Sequence, residues 1–269
     1  MKCCFCGTAR NCGKFLGKVF SNIEKMGTLF EEYLIIVYYD VSDDNTLSFL
    51  KKYQETNKNL FIYVNKTPLT RYRTHRIAKG RNVCLNTIRN NYTDYDFFIM
   101  MDLDDVNSKE VNLEVLKKNL ILDTWDALSF VNITSQYYYD IWALAIRPYV
   151  ISYRHFKDCS AVSTKIHTFI QNKLKNTPKD KLVQCASAFG GFSIYRTNKF
   201  INCNYDGRLR LDMLPKKYVR KNIRAVNTPL CFTNSEGSVH EDCEHKSFHL
   251  EAIKKNNARI RISPEILFF

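Results

Sequence analysis

The 269 residues predict an α/β fold: a single domain with a mainly parallel central sheet flanked by helices. Three observations carry this expectation. Short continuous apolar runs, Tyr33–Tyr39 (YLIIVYY), Leu60–Val64 (LFIYV) and Phe97–Met101 (FFIMM), have the unbroken hydrophobicity of strands covered on both faces. The segment before the first of them repeats apolar residues at helical spacing, as Phe15/Leu16, Val19/Phe20, Ile23 and Met26. One run also ends in three carboxylates, Asp102, Asp104 and Asp105, and open α/β sheets bind ligands beyond the carboxyl ends of their strands.

Taken in order, Cys3–Thr8 reads as a strand, followed by the helix through Met26 and the strand Tyr33–Tyr39. The loop Asp40–Thr46 is rich in helix-capping residues, and Leu47, Leu50 and Tyr53 then give a short helix before the strand Leu60–Val64. A linker around Pro68 leads to a helix over Thr74–Asn90 and then to the aspartate-tipped strand. Strands alternating with helices of this length imply right-handed βαβ units. Beyond Asn107 a helix is expected around Val111–Leu120, a strand over Ala127–Val131 and a helix over Ala161–Leu174. Gln136–Ala145 is aromatic-rich and suits a ligand-facing surface. Val183–Arg196 reads as one strand-like run broken by Gly190-Gly191, and Ile260–Phe269 as a last apolar piece. One domain in two subregions, residues 1–107 and 108–269, is the simplest division.

Hydrophobic content of 45% and charged content of 25% belong to a water-soluble globular chain. The balance of 40 Lys+Arg against 27 Asp+Glu gives +13, which suits an anionic partner. The basic residues are dispersed, with modest clusters at Lys216–Lys217 and Arg220–Lys221, so a phosphorylated small substrate is favoured over nucleic acid. No run approaches the ~20 apolar residues of a membrane span and no signal peptide fits, so reduced cysteines and a cytoplasmic location are expected. Cys3-x-x-Cys6 is half a zinc motif without a second pair, and ordinary thiols are the simpler reading.

The candidate site grows from Asp102 and Asp104. Two apart on an extended chain, they point the same way. Their repulsion is relieved by a divalent cation, and hard oxygen ligands suit Mn²⁺ or Mg²⁺. Arg81 lies within the apolar stripe Ile77, Cys84, Leu85 and Ile88, and a buried guanidinium needs an anion, either Asp102 or a ligand phosphate. Asp40 and the Thr8-Ala9-Arg10-Asn11 turn end neighbouring strands on the same rim, where a nucleotide could bind. Gly190-Gly191 marks a bulge or a close backbone approach. His240–His249 holds three of the six histidines. His245 and His249 share a helical face and could complete the metal site, while Asp242 and Glu244 could take a proton from an acceptor hydroxyl.

In this order Thr8–Asn11, Asp40, Arg81-Asn82, the Asp102-Leu-Asp104 DxD, Gly190-Gly191 and the CEH of Cys243–His245 resemble a nucleotide-sugar glycosyltransferase of the GT-A fold. The ARN of residues 9–11 also resembles the fungal capsule-associated mannosyltransferases, and the Lys/Asn/Ile/Tyr-rich composition resembles glycosyltransferases of large DNA viruses, which would place the protein in host cytoplasm or virion. The resemblance implies transfer of a sugar from a nucleoside diphosphate sugar to a hydroxyl on a glycan, protein or lipid-linked acceptor. It implies Asp104 on Mn²⁺ or Mg²⁺, Asp102 on the ribose or sharing the metal, Arg81 holding the aspartates, His245 or His249 as a further ligand, and Asp242 or Glu244 as base. Thr8, Arg10, Asn11, Asp40, Gly190 and Gly191 would line the donor.

Three other readings compete. Cys6–Arg10 faintly resembles the phosphate-cradling loop of sugar-phosphate nucleotidylyltransferases but lacks its second glycine. DLDDV has the paired aspartates of a DxDx(T/V) phosphatase, yet lies far from the first strand where such nucleophiles sit. A non-catalytic basic nucleic-acid-binding protein would bind with steep salt dependence and without metal.

Overall fold

The computed structural model describes residues 1–67, 70–131, 138–232 and 240–269. The first half follows the predicted order: β1 (Lys2–Ala9), α1 (Gly13–Gly27), β2 (Glu32–Tyr39), α2 (Thr46–Thr56), β3 (Leu60–Val64), α3 (Arg73–Asn91) and β4 (Phe97–Asp102). The second half continues with α4 (Leu113–Leu120), β5 (Ala127–Val131), α5 (Cys159–Lys175), β6 (Val183–Cys185), β7 (Phe192–Arg196), α6 (Thr197–Phe200), α7 (Lys216–Val226), α8 (Glu244–Asn256) and β8 (Ile260–Ile266).

The described strands form one sheet in the order β3-β2-β1-β4-β7-β5-β8-β6. Pairings β3/β2, β2/β1, β1/β4 and β5/β8 are parallel, whereas β7 is antiparallel to both of its neighbours and β6 is antiparallel to β8. Six strands therefore share one direction, as a mainly parallel sheet requires. Helices cover both faces. Leu16, Val19, Phe20, Ile23 and Met26 of α1 pack on one face with Cys3, Phe5, Phe97 and Ile99. Cys84, Leu85 and Ile88 of α3 and Phe248 and Ala252 of α8 pack on the other with Cys4, Cys6, Phe98 and Met100. This explains the unbroken apolar runs of β1, β2 and β4, which alternate between two cores, whereas the edge strand β3 is covered only in part and leaves Phe61, Tyr63 and Val64 exposed. The alternation also settles the cysteine pattern, because Cys3 and Cys6 lie in opposite cores and cannot share a metal.

One expectation fails here. Val183–Arg196 is not one interrupted strand: β6 lies at the sheet edge against β8, and β7 lies in the interior between β4 and β5. The short apolar stretches looked continuous because both are buried, and the turn at Gly190-Gly191 carries the chain between them. The helix α7 was seen only as charge, although its apolar Val219, Ile223 and Val226 recur at spacings of four and three. The linker at Pro68, the start of the aromatic stretch at Gln136 and Tyr137, and the segment from Ser235 lie partly or wholly outside the described residues.

Candidate active site

The carboxyl ends of β1, β2 and β4 meet at one rim. Thr8 is level with Asp102 and Ala9 is level with Tyr39, so the ends of the three strands open together. A cleft of about 220 Å³ lies there, lined by Thr8, Arg10, Asp40, Arg73, Arg76, Asp102 and Asp104 among others. The sequence had placed Thr8, Arg10, Asp40 and both aspartates on this rim. It had not singled out Arg73 and Arg76, whose signal was the basic run Arg71–Arg76 (RYRTHR) at the start of α3.

Asp102 is the last residue of β4, and Asp104 caps the short 3₁₀ turn Asp105–Asn107, accepting the Val106 N–H at 3.2 Å. Leu103 between them is buried and Asp105 is exposed, so two of the three acids turn into the cleft and one toward solvent. Burial, reinforced by the Asp104 charge and opposed by Arg81, pushes Asp102 up to about 7. Burial also raises Asp104, with Asp105 adding to it. Two half-buried carboxylates that resist simultaneous ionisation form a donor set for a hard divalent cation, which keeps positions open for phosphate. Asp102 and Asp104 therefore fit Mn²⁺ or Mg²⁺.

The glycine pair supports this turn directly. Gly190 and Gly191 have φ of +68° and +83°. The Gly191 carbonyl accepts the Asp102 N–H at 2.8 Å and the Asn107 side-chain amide at 2.7 Å. A Cβ on Gly191 would stand 2.4 Å from Val106 Cγ1, so only glycine lets this backbone press against the aspartate turn.

Arg81 is buried between two carboxylates. Its Nη2 donates to Asp102 Oδ1 at 2.9 Å and its Nη1 to Glu244 Oε1 at 2.5 Å. The Phe189 ring lies 4.5 Å from the guanidinium. Burial would lower the Arg81 pKa, but Glu244 and Asp102 outweigh it and hold the group charged. The expected pairing with Asp102 is present, and Glu244 is the partner the sequence did not supply. The next residue, Asn82, exchanges hydrogen bonds with the Tyr205 backbone at 2.9 and 2.8 Å, fixing α3 to that segment.

Other expected residues are engaged by partners of their own, within the cleft or outside it. Asn11, at φ 50°, ties the β1 turn to the next loop, donating its N–H to Ser42 Oγ and accepting the Asp43 N–H. Asp40 accepts from Asn65 at 2.8 Å and faces Arg76 at 3.7 Å. Asp242 is buried against Lys246 at 3.6 Å and His155 at 3.8 Å. Burial would raise its pKa, but those two neighbours bring it below the usual carboxylate value. Asp242 thus belongs to an ion cluster outside the cleft, and Glu244 is engaged by Arg81. Neither is a free base, because the turn entering α8 points both inward.

His245 and His249 share a face of α8 as expected, but that face is turned into the core. Both rings are fully buried. His249 meets Ser187 at 2.9 Å and the Tyr195 hydroxyl at 3.1 Å, and His245 stacks on Phe189 with ring centres 3.7 Å apart. Burial, with Arg81 adding to it, lowers His249 to about 3 and His245 well below its ordinary value. Among the described residues no group of three or more His, Cys, Asp or Glu side chains could hold a metal ion. The expectation that these histidines complete a site with the aspartates is therefore corrected: His249 is held by Ser187 and Tyr195, His245 Nδ1 meets the Tyr195 hydroxyl at 3.3 Å, and its Nε2 lies 3.8 Å from Glu244 Oε1.

One further carboxylate escaped the sequence reading. Asp140 accepts the Ala143 N–H at 3.0 Å, and burial raises its pKa, with the backbone of Ala143 and Gly190 opposing and Glu244 adding to the rise. It has no salt bridge among the described residues. The aromatic stretch around it drew attention to stacking instead.

No protein-family model matches the chain, and no curated protein does. Solved structures do. S. aureus TarS 1-349 superposes with a TM-score of 0.52 at 16% identity, covering 100% of this chain and 60% of that one. The same segment in complex with UDP gives a TM-score of 0.50 at 16% identity, again over 100% and 60%. The fold is GT-A-like. The chain spans 60% of the length of these TarS structures, and at this identity the likeness is one of architecture. The mannosyltransferase PcManGT from Pyrobaculum calidifontis, in complex with GDP-Man and Mn²⁺, gives a TM-score of 0.43 at 14% identity over 74% of this chain and 45% of that one.

Proposed function

We propose that the chain is a divalent-metal-dependent glycosyltransferase that moves a sugar from a nucleoside diphosphate sugar to an acceptor hydroxyl. One observation carries this reading: Asp102 and Asp104 line a single cleft at the strand ends together with Arg10, Arg73 and Arg76. Carboxylates alone suit a cation and arginines alone suit an anion. Both together suit a metal–diphosphate pair.

Asp102 and Asp104 would hold Mn²⁺ or Mg²⁺, which when bound neutralises charge developing on the leaving diphosphate. Arg81 orients Asp102 and is itself fixed by Glu244. Arg73, Arg76 and Arg10 would contact phosphate oxygens, and Thr8 and Asp40 the nucleoside. Gly191 holds the aspartate turn in place. Asp140, whose charge acts on Asp102, would be the carboxylate to meet the acceptor. A similarly folded protein has been solved in complex with UDP, which supports a nucleotide as ligand, and the resemblance of the ARN turn makes GDP-mannose a donor to test first.

The test is a thermal-shift panel of UDP, GDP and CDP and their sugars, each with and without Mn²⁺. One nucleotide diphosphate should raise the melting temperature only with metal, and Asp104→Ala should abolish the rise. A panel with no metal-dependent shift refutes the proposal. Binding of nucleoside triphosphate together with sugar phosphate would favour nucleotidyl transfer instead.

A further inference from the structure

The helix α7 carries five cations, Lys216, Lys217, Arg220, Lys221 and Arg224, and residues 213–232 hold no Asp or Glu. All five are exposed. Their positions, i, i+1, i+4, i+5 and i+8, form one stripe about 12 Å long along the helix. The opposite face is anchored: Asn222 and Val226 are buried, and the Asn222 side-chain oxygen accepts the Val150 and Ile151 N–H groups at 2.7 Å each. Two further basic side chains extend the stripe. Arg147, also exposed, lies 4.0 Å from the centre of the Tyr218 ring, and Lys165 donates to the Val226 carbonyl at 2.7 Å. None of the five α7 cations forms a salt bridge among the described residues. The nearest acid along the chain, Asp212, is already engaged by Arg210 at 2.7 Å.

A concentration of like charge this dense is held together only by the anchored apolar face, and it repels itself unless an anionic surface meets it. We propose that α7 is a docking face for an anionic phospholipid bilayer. The stripe lies on a convex helix, which matches a flat charged sheet. A single nucleic-acid strand would need aromatic side chains on which its bases could stack, and the helix's one aromatic residue, Tyr218, is half-buried beneath Arg147 and Lys217. The long basic side chains of the stripe can keep their charge in the polar headgroup layer. No helix among the described residues is long and apolar enough to cross a bilayer, so contact through α7 is peripheral and screened by salt. The proposal stands apart from the sugar-transfer reading, since it concerns none of the cleft residues.

The experiment is co-sedimentation of the full chain with vesicles of phosphatidylcholine alone and of phosphatidylcholine mixed with phosphatidylserine, at low and high salt. Binding is expected only to the mixed vesicles and only at low salt. The triple variant Lys216→Glu, Arg220→Glu, Lys221→Glu should bind at least about tenfold more weakly. The pair Lys51→Glu, Lys52→Glu on the exposed side of α2 is a control that should bind like the parent. Circular dichroism and the nucleotide thermal shift, measured on both variants, distinguish misfolding from lost contact. If the triple variant does not fold, Arg220→Gln with Lys221→Gln repeats the test without charge reversal. No binding to the mixed vesicles, an equal loss in the α2 control, or tighter binding to single-stranded DNA than to vesicles overturns the proposal.

Discussion

Arg81 and Glu244, 163 residues apart, meet at 2.5 Å in a buried ion pair whose other arm reaches Asp102. The guanidinium thus joins the start of α8 to the tip of β4. Replacing Arg81 by Ala would leave Glu244 buried without its counter-ion, and removing one partner of such a pair costs about 3–5 kcal/mol. Arg81→Lys keeps the charge but loses the planar fork that spans two carboxylates, and it should lose less stability than Arg81→Ala while still weakening metal binding. Urea unfolding and Mn²⁺ titration of the two variants measure the two effects separately.

The three acids of the DLDD turn should differ. Asp104→Ala and Asp102→Ala are expected to lower metal affinity at least about tenfold each, whereas Asp105→Ala, exposed and turned to solvent, should change it little. Calorimetric titration with Mn²⁺ in the presence of nucleotide diphosphate ranks them. Equal losses across all three would contradict the geometry.

Protons should compete with the metal. Asp102, pushed up to about 7 by burial and the neighbouring Asp104, is partly protonated near neutrality. Metal affinity should therefore fall as pH drops below about 7, and binding at neutral pH should release a proton, seen as a buffer-dependent enthalpy. For the metal-free protein the sign is opposite. A carboxyl whose folded pKa lies above its unfolded value stabilises the fold at low pH, and that contribution is lost as pH rises from about 4 to about 7. In Asp102→Asn both effects should vanish.

Gly191→Ala should destabilise the protein by roughly 1–3 kcal/mol, since it combines a left-handed φ with a Cβ driven into Val106. Adding Val106→Ala relieves the clash and not the backbone strain, so the double variant should recover only part of the loss. Thermal melts of the three proteins decide this, and full recovery would show the φ to be tolerable.

His245 and His249 should stay neutral across about pH 5 to 8, unlike an ordinary exposed histidine. Their proton resonances should not move over that range, and Mn²⁺ should broaden them no more than other core signals at similar depth. A selective metal response from either ring would restore it as a ligand.

The parallel half of the sheet was legible because every strand there is short, continuous and apolar, and Asp102 was legible because charge breaks that run abruptly. Arg81 announced itself as a cation inside an apolar stripe. Its second partner did not, because the Glu244 contact depends on how a distant helix begins. Asp242 and Glu244 are two residues apart and equally acidic, yet one faces Lys246 and the other Arg81. Spacing cannot separate them. His245 and His249 share a face as their four-residue spacing requires, but spacing does not say whether that face meets a cleft or a core. Arg73 and Arg76 lie in the first turn of α3, where a basic residue reads equally well as a solvated helix end. Asp140 was hidden by the aromatic residues around it.

The position of β7 has a consequence for how the protein comes into being. A chain leaving the ribosome completes β1 to β4 early, but the strand that flanks β4 and carries the Gly191 support follows some ninety residues later, and the counter-ion of Arg81 more than fifty after that. Until then the nascent protein holds an open sheet edge and an arginine without its second anchor. The support of the aspartate turn thus waits on segments that follow it in the chain, the Gly191 carbonyl and the Glu244 carboxylate.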